Sequence, residues 1–219
     1  MSFESLTNNP SENNIPSYPF GYSTEIAFKA ADLKGKDAVE LADYIINGHL
    51  YSSIFFTDDP VYDTSDINWD IQYSLSPTTY NLGLQTLDMV GFLCYGYQAN
   101  QRTEYMERAL QLIESWIAYA ETNPKNKYCW YDHSVSSRAL NMIYFLTFMS
   151  DPNLAELYEK PKVALIMDTL KKHAEYLLDD NNYAPNSNHG IMSDRALAAI
   201  AQFLKSENQS VLWWEKAKQ

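Results

Sequence analysis

Cysteine, glycine, histidine and positive charge are all scarce in this 219-residue chain. Its two cysteines, Cys94 and Cys129, are too few for a disulfide framework, and Cys94, set in an apolar run, reads as a buried free thiol. Seven glycines and no Gly-rich phosphate loop argue against a dinucleotide fold. The four histidines and two cysteines show no zinc-type spacing, and no Gly-x-Ser-x-Gly elbow is present, so neither a metal nor a cofactor is expected. No run approaches the roughly 18 apolar residues a membrane helix needs. Residues 1–30 lack a basic start followed by an apolar block, so the cytoplasm is the default location, with the periplasm or the outside open if a leader has been removed. Sixteen basic residues against 28 acidic ones give a net charge of −12, which argues against a nucleic-acid partner.

What is present is apolar and aromatic. Apolar residues make up 46% and charged residues 20%, the balance of a globular chain. Tyrosine occurs 17 times and tryptophan five times. Such rings pack between helices or stack on sugar faces, and composition favours packing. The charge is uneven: residues 1–75 hold 12 acids and 3 bases, leaving 16 acids and 13 bases for residues 76–219. A local anion site therefore fits best in the second part.

Residues 1–35 form an aperiodic arm, rich in Asn, Ser and Pro over its first 24 residues, and residues 36–219 form the folded domain. A short helix is expected near Asp37–Asn47 with Gly48 as its stop, followed by an acidic, aromatic loop over 50–75. From Ser76, with Pro77 at the first helical position, helices follow one another. Met106, Leu110, Ile113, Ile117 and Ala120 make one stripe, ended by Asn123-Pro124. Ser134–Met149 is the next helix, then one from Pro161 with Val163, Ile166, Leu170, Ala174 and Leu177 on one face. Two more run from Ile191 to Leu204 and from near Asn208. Short loops and no alternating strand pattern predict an all-α array of antiparallel hairpins.

Two segments are candidates for chemistry. Asn181 to Gly190 carries four asparagines and a proline and leads into a helix, so Asn188 and His189 would face a ligand at a helix N-terminus. The alternative is an Asn-rich capping loop with a bystander histidine. The second segment, Trp130 to Arg138, offers a ring to stack on a sugar, His133, and a guanidinium to grip a carboxylate. Its alternative is an Arg138–Asp132 pair beside an interhelical tryptophan. His49 reads as structural and His173, beside Lys171 and Lys172, as solvent-facing. Asp132 and Asp194 would be the carboxylate pair of a glycoside hydrolase.

Asn188-His189-Gly190 opening an apolar helix, preceded by Trp130 and by Arg138-Ala139-Leu140-Asn141, resembles the heparinase II/III-like polysaccharide lyases. The stretch from Ala42 to Gly48, then Trp69-Asp70 and Ser115-Trp116-Ile117, is similar to that family's helical domain, so the likeness covers about residues 36–205. It implies an incomplete (α/α) toroid and β-elimination on an acidic, uronate polysaccharide without a metal. Asn188 would neutralise the uronate carboxylate, His189 would act as base or position the sugar, and a tyrosine would be the acid. Trp130, His133 and Arg138 would hold neighbouring sugar units. The family's tyrosine and a β-sandwich histidine come from later segments, which leaves Tyr131, Tyr183 or Tyr80 as a local substitute. A toroid cut partway would expose apolar faces such as Leu212-Trp213-Trp214, so self-association or a C-terminal partner is expected. A non-catalytic carbohydrate-binding or assembly module on the same scaffold is the other reading.

Overall fold

The computed structural model describes residues 37–49, 67–70 and 76–219, and the described residues are all-helical. The arm expected over 1–35 and most of the 50–75 stretch lie outside them. The helices are α1 (Ala38–Ile46), α2 (Pro77–Gln85), α3 (Asp88–Asn100), α4 (Thr103–Thr122), α5 (Asp132–Leu146), α6 (Lys160–Leu178), α7 (Asn188–Phe203) and α8 (Ser210–Ala217). None is long and apolar enough to cross a membrane.

Local chemistry sets the helix ends. Asp37 and Glu40 close a reciprocal capping box on α1. Pro77 occupies the first turn of α2, where its missing N–H is no loss. The stripes expected on α4 and α6 are buried, apart from Val163, which is half-buried. Alternate helices pack together, α1 on α3, α3 on α5 and α5 on α7, while α4, α6 and α8 each lie against the helix before them. The α1–α3 approach is close because Gly96 has no side chain: a Cβ there would stand 2.4 Å from that of Ala42.

One break was not visible in the periodicity. The sequence from Ser76 reads as one helix, but Leu87 takes a left-handed backbone (φ 55°) and divides α2 from α3. A buried leucine in this region is strained by about 1–2 kcal/mol. Asn141 of α5 holds the junction, donating to the Thr86 carbonyl and to the Asp88 carboxylate.

The centre of the core is polar. Arg138 on α5 is fully buried, against the expectation that it would face a ligand. Its Nε donates to His173 Nε2 at 2.8 Å, Nη1 to the Gln85 carbonyl, and Nη2 to the Cys129 carbonyl at 2.8 Å. Its guanidinium carbon lies 3.8 Å from the centroid of Trp116, whose indole N–H donates to the Gln85 side chain. Burial lowers the Arg138 pKa to about 9, which leaves it cationic at neutral pH. The pairing with Asp132 weighed from the sequence does not form.

His173 corrects a second expectation, since it too is fully buried. Accepting from Arg138 at Nε2 places its proton on Nδ1, which donates to the Thr169 carbonyl at 2.7 Å. Burial first, and the Arg138 charge second, hold its pKa well below the ordinary 6.5. The apolar C-terminal face is partly closed: Trp213 is buried and Trp214 half-buried, while Leu212 is 55% exposed.

Removing the guanidinium strands one imidazole nitrogen and two carbonyls in the core. Arg138→Ala should therefore cost about 3–5 kcal/mol in urea unfolding, and Arg138→Lys, with a single-point donor, should recover little of it. The histidine adds a pH dependence. Its folded pKa is depressed, so the unfolded chain takes up a proton first as pH falls below 6.5. Stability is complete above that value and declines below it. His173→Gln, whose carbonyl can still accept from Arg138, should flatten the slope between pH 6 and 5 by about 1.4 kcal/mol per pH unit.

Candidate functional site

Helices α5 and α7 pack side by side, and residues of their first turns meet. Asp132 opens α5 and His189 is the second residue of α7, so the histidine lies inside the helix rather than in the loop before it. His189 Nδ1 stands 3.0 and 3.1 Å from the two Asp132 carboxylate oxygens. A carboxylate only accepts, so Nδ1 carries the proton and Nε2 is the basic nitrogen. Asp132 also accepts from the His133 N–H at 2.6 Å, which fixes its rotamer. Its side chain is 11% exposed, that of His189 31%, so an oriented imidazole stands at the surface over a shielded carboxylate.

Two further rings frame His189. Tyr131 and His133 each meet it edge-on, with ring centroids 5.8 Å away. Burial lowers the His133 pKa, which keeps that ring neutral beside the pair, while Asp88 and Asp132 work in the opposite direction. Asp88 begins α3, so the junction pinned by Asn141 also sets the field at His133.

The Asn-rich loop has separable parts. Asn182 donates to the Tyr176 carbonyl, and Asn181 binds Asp179, so both finish α6. Asn186 takes the left-handed conformation (φ 57°) that turns the chain. Ser187 caps α7 by accepting from the Gly190 N–H, and donates back to the Ala184 carbonyl at 2.7 Å. Asn188 is exposed in the first turn of α7, and its amide has no hydrogen-bond partner among the described residues. Gly190 is needed for space: a Cβ would come within 2.6 Å of the Ala184 carbonyl oxygen.

The structure brings Asn188, His189 and His133 to one end of the α5–α7 pair. It turns Trp130 elsewhere, against His173 and Tyr176, on the wall of a separate cleft. Arg138 lies beneath both, joined through the Cys129 carbonyl to the strand of chain that carries Trp130 and Tyr131. Tyr176 donates to the next carbonyl, that of Trp130, at 2.8 Å. One buried donor, Arg138, and one half-buried donor, Tyr176, thus clamp consecutive peptides ahead of Asp132. Sequence reasoning singled out Asp132 but not its partnership with His189, which joins residues 57 positions apart.

The three tyrosines considered as acids now differ. Tyr80 is buried; Tyr183 donates to Asp194 at 3.0 Å, and that bond raises its pKa; Tyr131 is exposed at the edge of His189. Asp132 and Asp194 belong to separate pairs. Among the described residues no group of three or more His, Cys, Asp and Glu side chains is placed to hold a metal ion. Comparison with known protein families, characterised proteins and solved structures finds no match to the chain.

Gly190→Ala should force the Ala184 carbonyl away from the start of α7. A loss of about 1–3 kcal/mol in thermal or urea unfolding is expected, with a shift of the His189 ring resonances in NMR spectra.

Proposed function

We propose that the α5–α7 end is the catalytic centre of a polysaccharide lyase that cleaves uronate chains by β-elimination, on a scaffold that is part of an (α/α) toroid. The observation that carries this reading is the His189–Asp132 pair with the open Asn188 amide beside it, all at one helix start. The packing of α1, α3, α5 and α7 on one another supports the toroid.

The reaction needs a proton removed from C5, next to a carboxylate, and a proton delivered to the leaving O4. His189 Nε2 takes the C5 proton, and Asp132 stabilises the resulting imidazolium through Nδ1. Asn188 donates from its amide to the uronate carboxylate as negative charge moves onto it. The N-terminal end of α7 favours the same charge. The C4–O4 bond then breaks, a C4–C5 double bond forms, and the Tyr131 hydroxyl protonates O4. This scheme differs from the sequence expectation in giving Arg138 a positioning role only, because it is fully buried and each of its three nitrogens donates inside the core.

A second reading, binding without cleavage, draws on the Trp130 cleft. The glycoside-hydrolase reading is not supported, since Asp132 is bound to His189 and Asp194 to Tyr183.

Elimination leaves a double bond conjugated to the carboxylate, which absorbs in the ultraviolet; hydrolysis does not. The chain, assayed on alginate, heparan, hyaluronan and polyglucuronate, should produce this absorbance on at least one. Asn188→Ala and His189→Ala should each lower the rate on the order of 10²–10³-fold. Tyr131→Phe should lower it on the order of 10²-fold with little change in KM. No absorbance on any of the four polymers would overturn the catalytic reading.

A further inference from the structure

Between α4 and α6 lies a cleft of about 400 Å³, a volume within the range of small-molecule sites. Its floor is the buried Trp116, and its walls are Ile117, Ala120, Pro124 and the half-buried Trp130. The Trp116 indole N–H is taken by Gln85, and the Thr169 hydroxyl, also in the lining, donates to the Leu165 carbonyl. Glu121 and Lys172 are the two charged side chains of the lining. Lys172 Nζ stands 3.7 Å from Glu121, too far for a hydrogen bond, and both side chains are more than half exposed. The pair therefore leaves hydrogen-bonding capacity on both of its groups.

This lining selects a ligand by exclusion. A sugar unit carries hydroxyls around its whole edge, and against Ile117, Ala120, Pro124 and two indole rings most of them go unpaired, each at a cost. A lone anion meets Glu121 as well as Lys172, and a lone cation meets Lys172 as well as Glu121. Charge beneath the floor favours neither sign, since Arg138 is opposed by Asp70 at Cys129 and by Asp132 and Asp179 at Tyr176. What fits is an apolar body carrying one positive and one negative group close together. A free α-amino acid has such a pair, its nitrogen about 2.5 Å from its carboxylate carbon. Laid against Lys172 and Glu121, the two dipoles run antiparallel and each charge meets its opposite. The tryptophans favour an aromatic side chain over an aliphatic one, because ring pairs attract beyond the area they bury.

We infer that the cleft between α4 and α6 is a binding site for a free aromatic α-amino acid. The ligand's ammonium group donates to Glu121, its carboxylate accepts from Lys172, and its ring lies on Trp130. None of these groups belongs to the His189–Asp132 pair, so the site is independent of the function proposed above.

The test compares L-phenylalanine with two analogues that each lack one charge, phenethylamine and 3-phenylpropionate, on the full 219-residue chain. Calorimetry should show saturable L-phenylalanine binding with a Kd of about 1 mM or tighter, and the Trp130 indole resonance should move in NMR spectra. Each analogue should bind at least about threefold more weakly. In Glu121→Gln protein, L-phenylalanine should lose at least about threefold in affinity, whereas 3-phenylpropionate, freed of a like charge, should lose none. In Lys172→Gln protein the same loss should spare phenethylamine. Trp130→Ala should weaken all three compounds about tenfold. Glu121 and Lys172 are more than half exposed, so replacing them should leave the fold intact. No saturable L-phenylalanine binding up to about 10 mM, equal binding of the three compounds, or an affinity unchanged in both charge variants would overturn the inference. Displacement of L-phenylalanine by glucuronate or cellobiose at equal concentration would assign the cleft to sugars and overturn it as well.

Discussion

The fold is organised around one buried cation. Arg138 draws together α2 through the Gln85 carbonyl, α6 through His173, and the chain before α5 through the Cys129 carbonyl. An ammonium has its three donors on one nitrogen, whereas the planar fork of a guanidinium spreads its donors over three nitrogens and so reaches acceptors set further apart. Desolvating it is costly, and hydrogen bonds to strong neutral acceptors together with the Trp116 ring offset that cost. The arrangement specifies geometry more than it adds stability, because an apolar core of the same volume would also pack. What an apolar core would not do is hold the Cys129 and Gln85 carbonyls in fixed positions.

That fixity reaches the surface by short steps. The clamped Cys129 peptide and the Trp130 peptide held by Tyr176 determine where Tyr131 and Asp132 emerge. Asp132 then orients His189 across the interface between α5 and α7. One turn beyond Arg138 along α5, Asn141 holds the left-handed junction at Leu87 and so the position of Asp88, whose charge acts on His133. Arg138-Ala139-Leu140-Asn141, read from sequence as part of a functional signature, thus works inside the protein as a bracket. The exposed chemistry belongs to residues at helix starts, which are free to meet a ligand because the bracket does not depend on them.

The helices were legible because their signals are local. Stripes such as Met106–Leu110–Ile113–Ile117 and stops such as Asn123-Pro124 act over one or two turns, and the structure places α4 within a residue of the expected range. His173 was legible too but was read wrongly: it lies three residues after Leu170 and four before Leu177, on the buried stripe, and the neighbouring lysines drew it outward. Leu87 gave no signal, since a left-handed leucine is held by a tertiary contact from Asn141 that no local window contains. The same holds for the site. Asn188 and His189 were visible as a polar pair at a helix start, whereas the Asp132 partnership and the burial of Arg138 depend on contacts 35 to 57 residues away.

The function proposed above sets an acidic protein against an acidic polymer, a long-range problem that has to be solved locally. At the screening length of physiological salt, about 8 Å, most of the −12 charge is invisible to a sugar already in contact with the surface. What matters there is the chemistry within a few ångströms. At the α7 start this is a neutral amide and a helix N-terminus, which on that proposal would meet the carboxylate without a fixed cation. The remote negative charge then acts mainly on encounter, slowing the approach of long anionic chains and weakening as salt rises. On the function proposed above, short uronate oligomers would therefore meet less electrostatic penalty than the intact polymer.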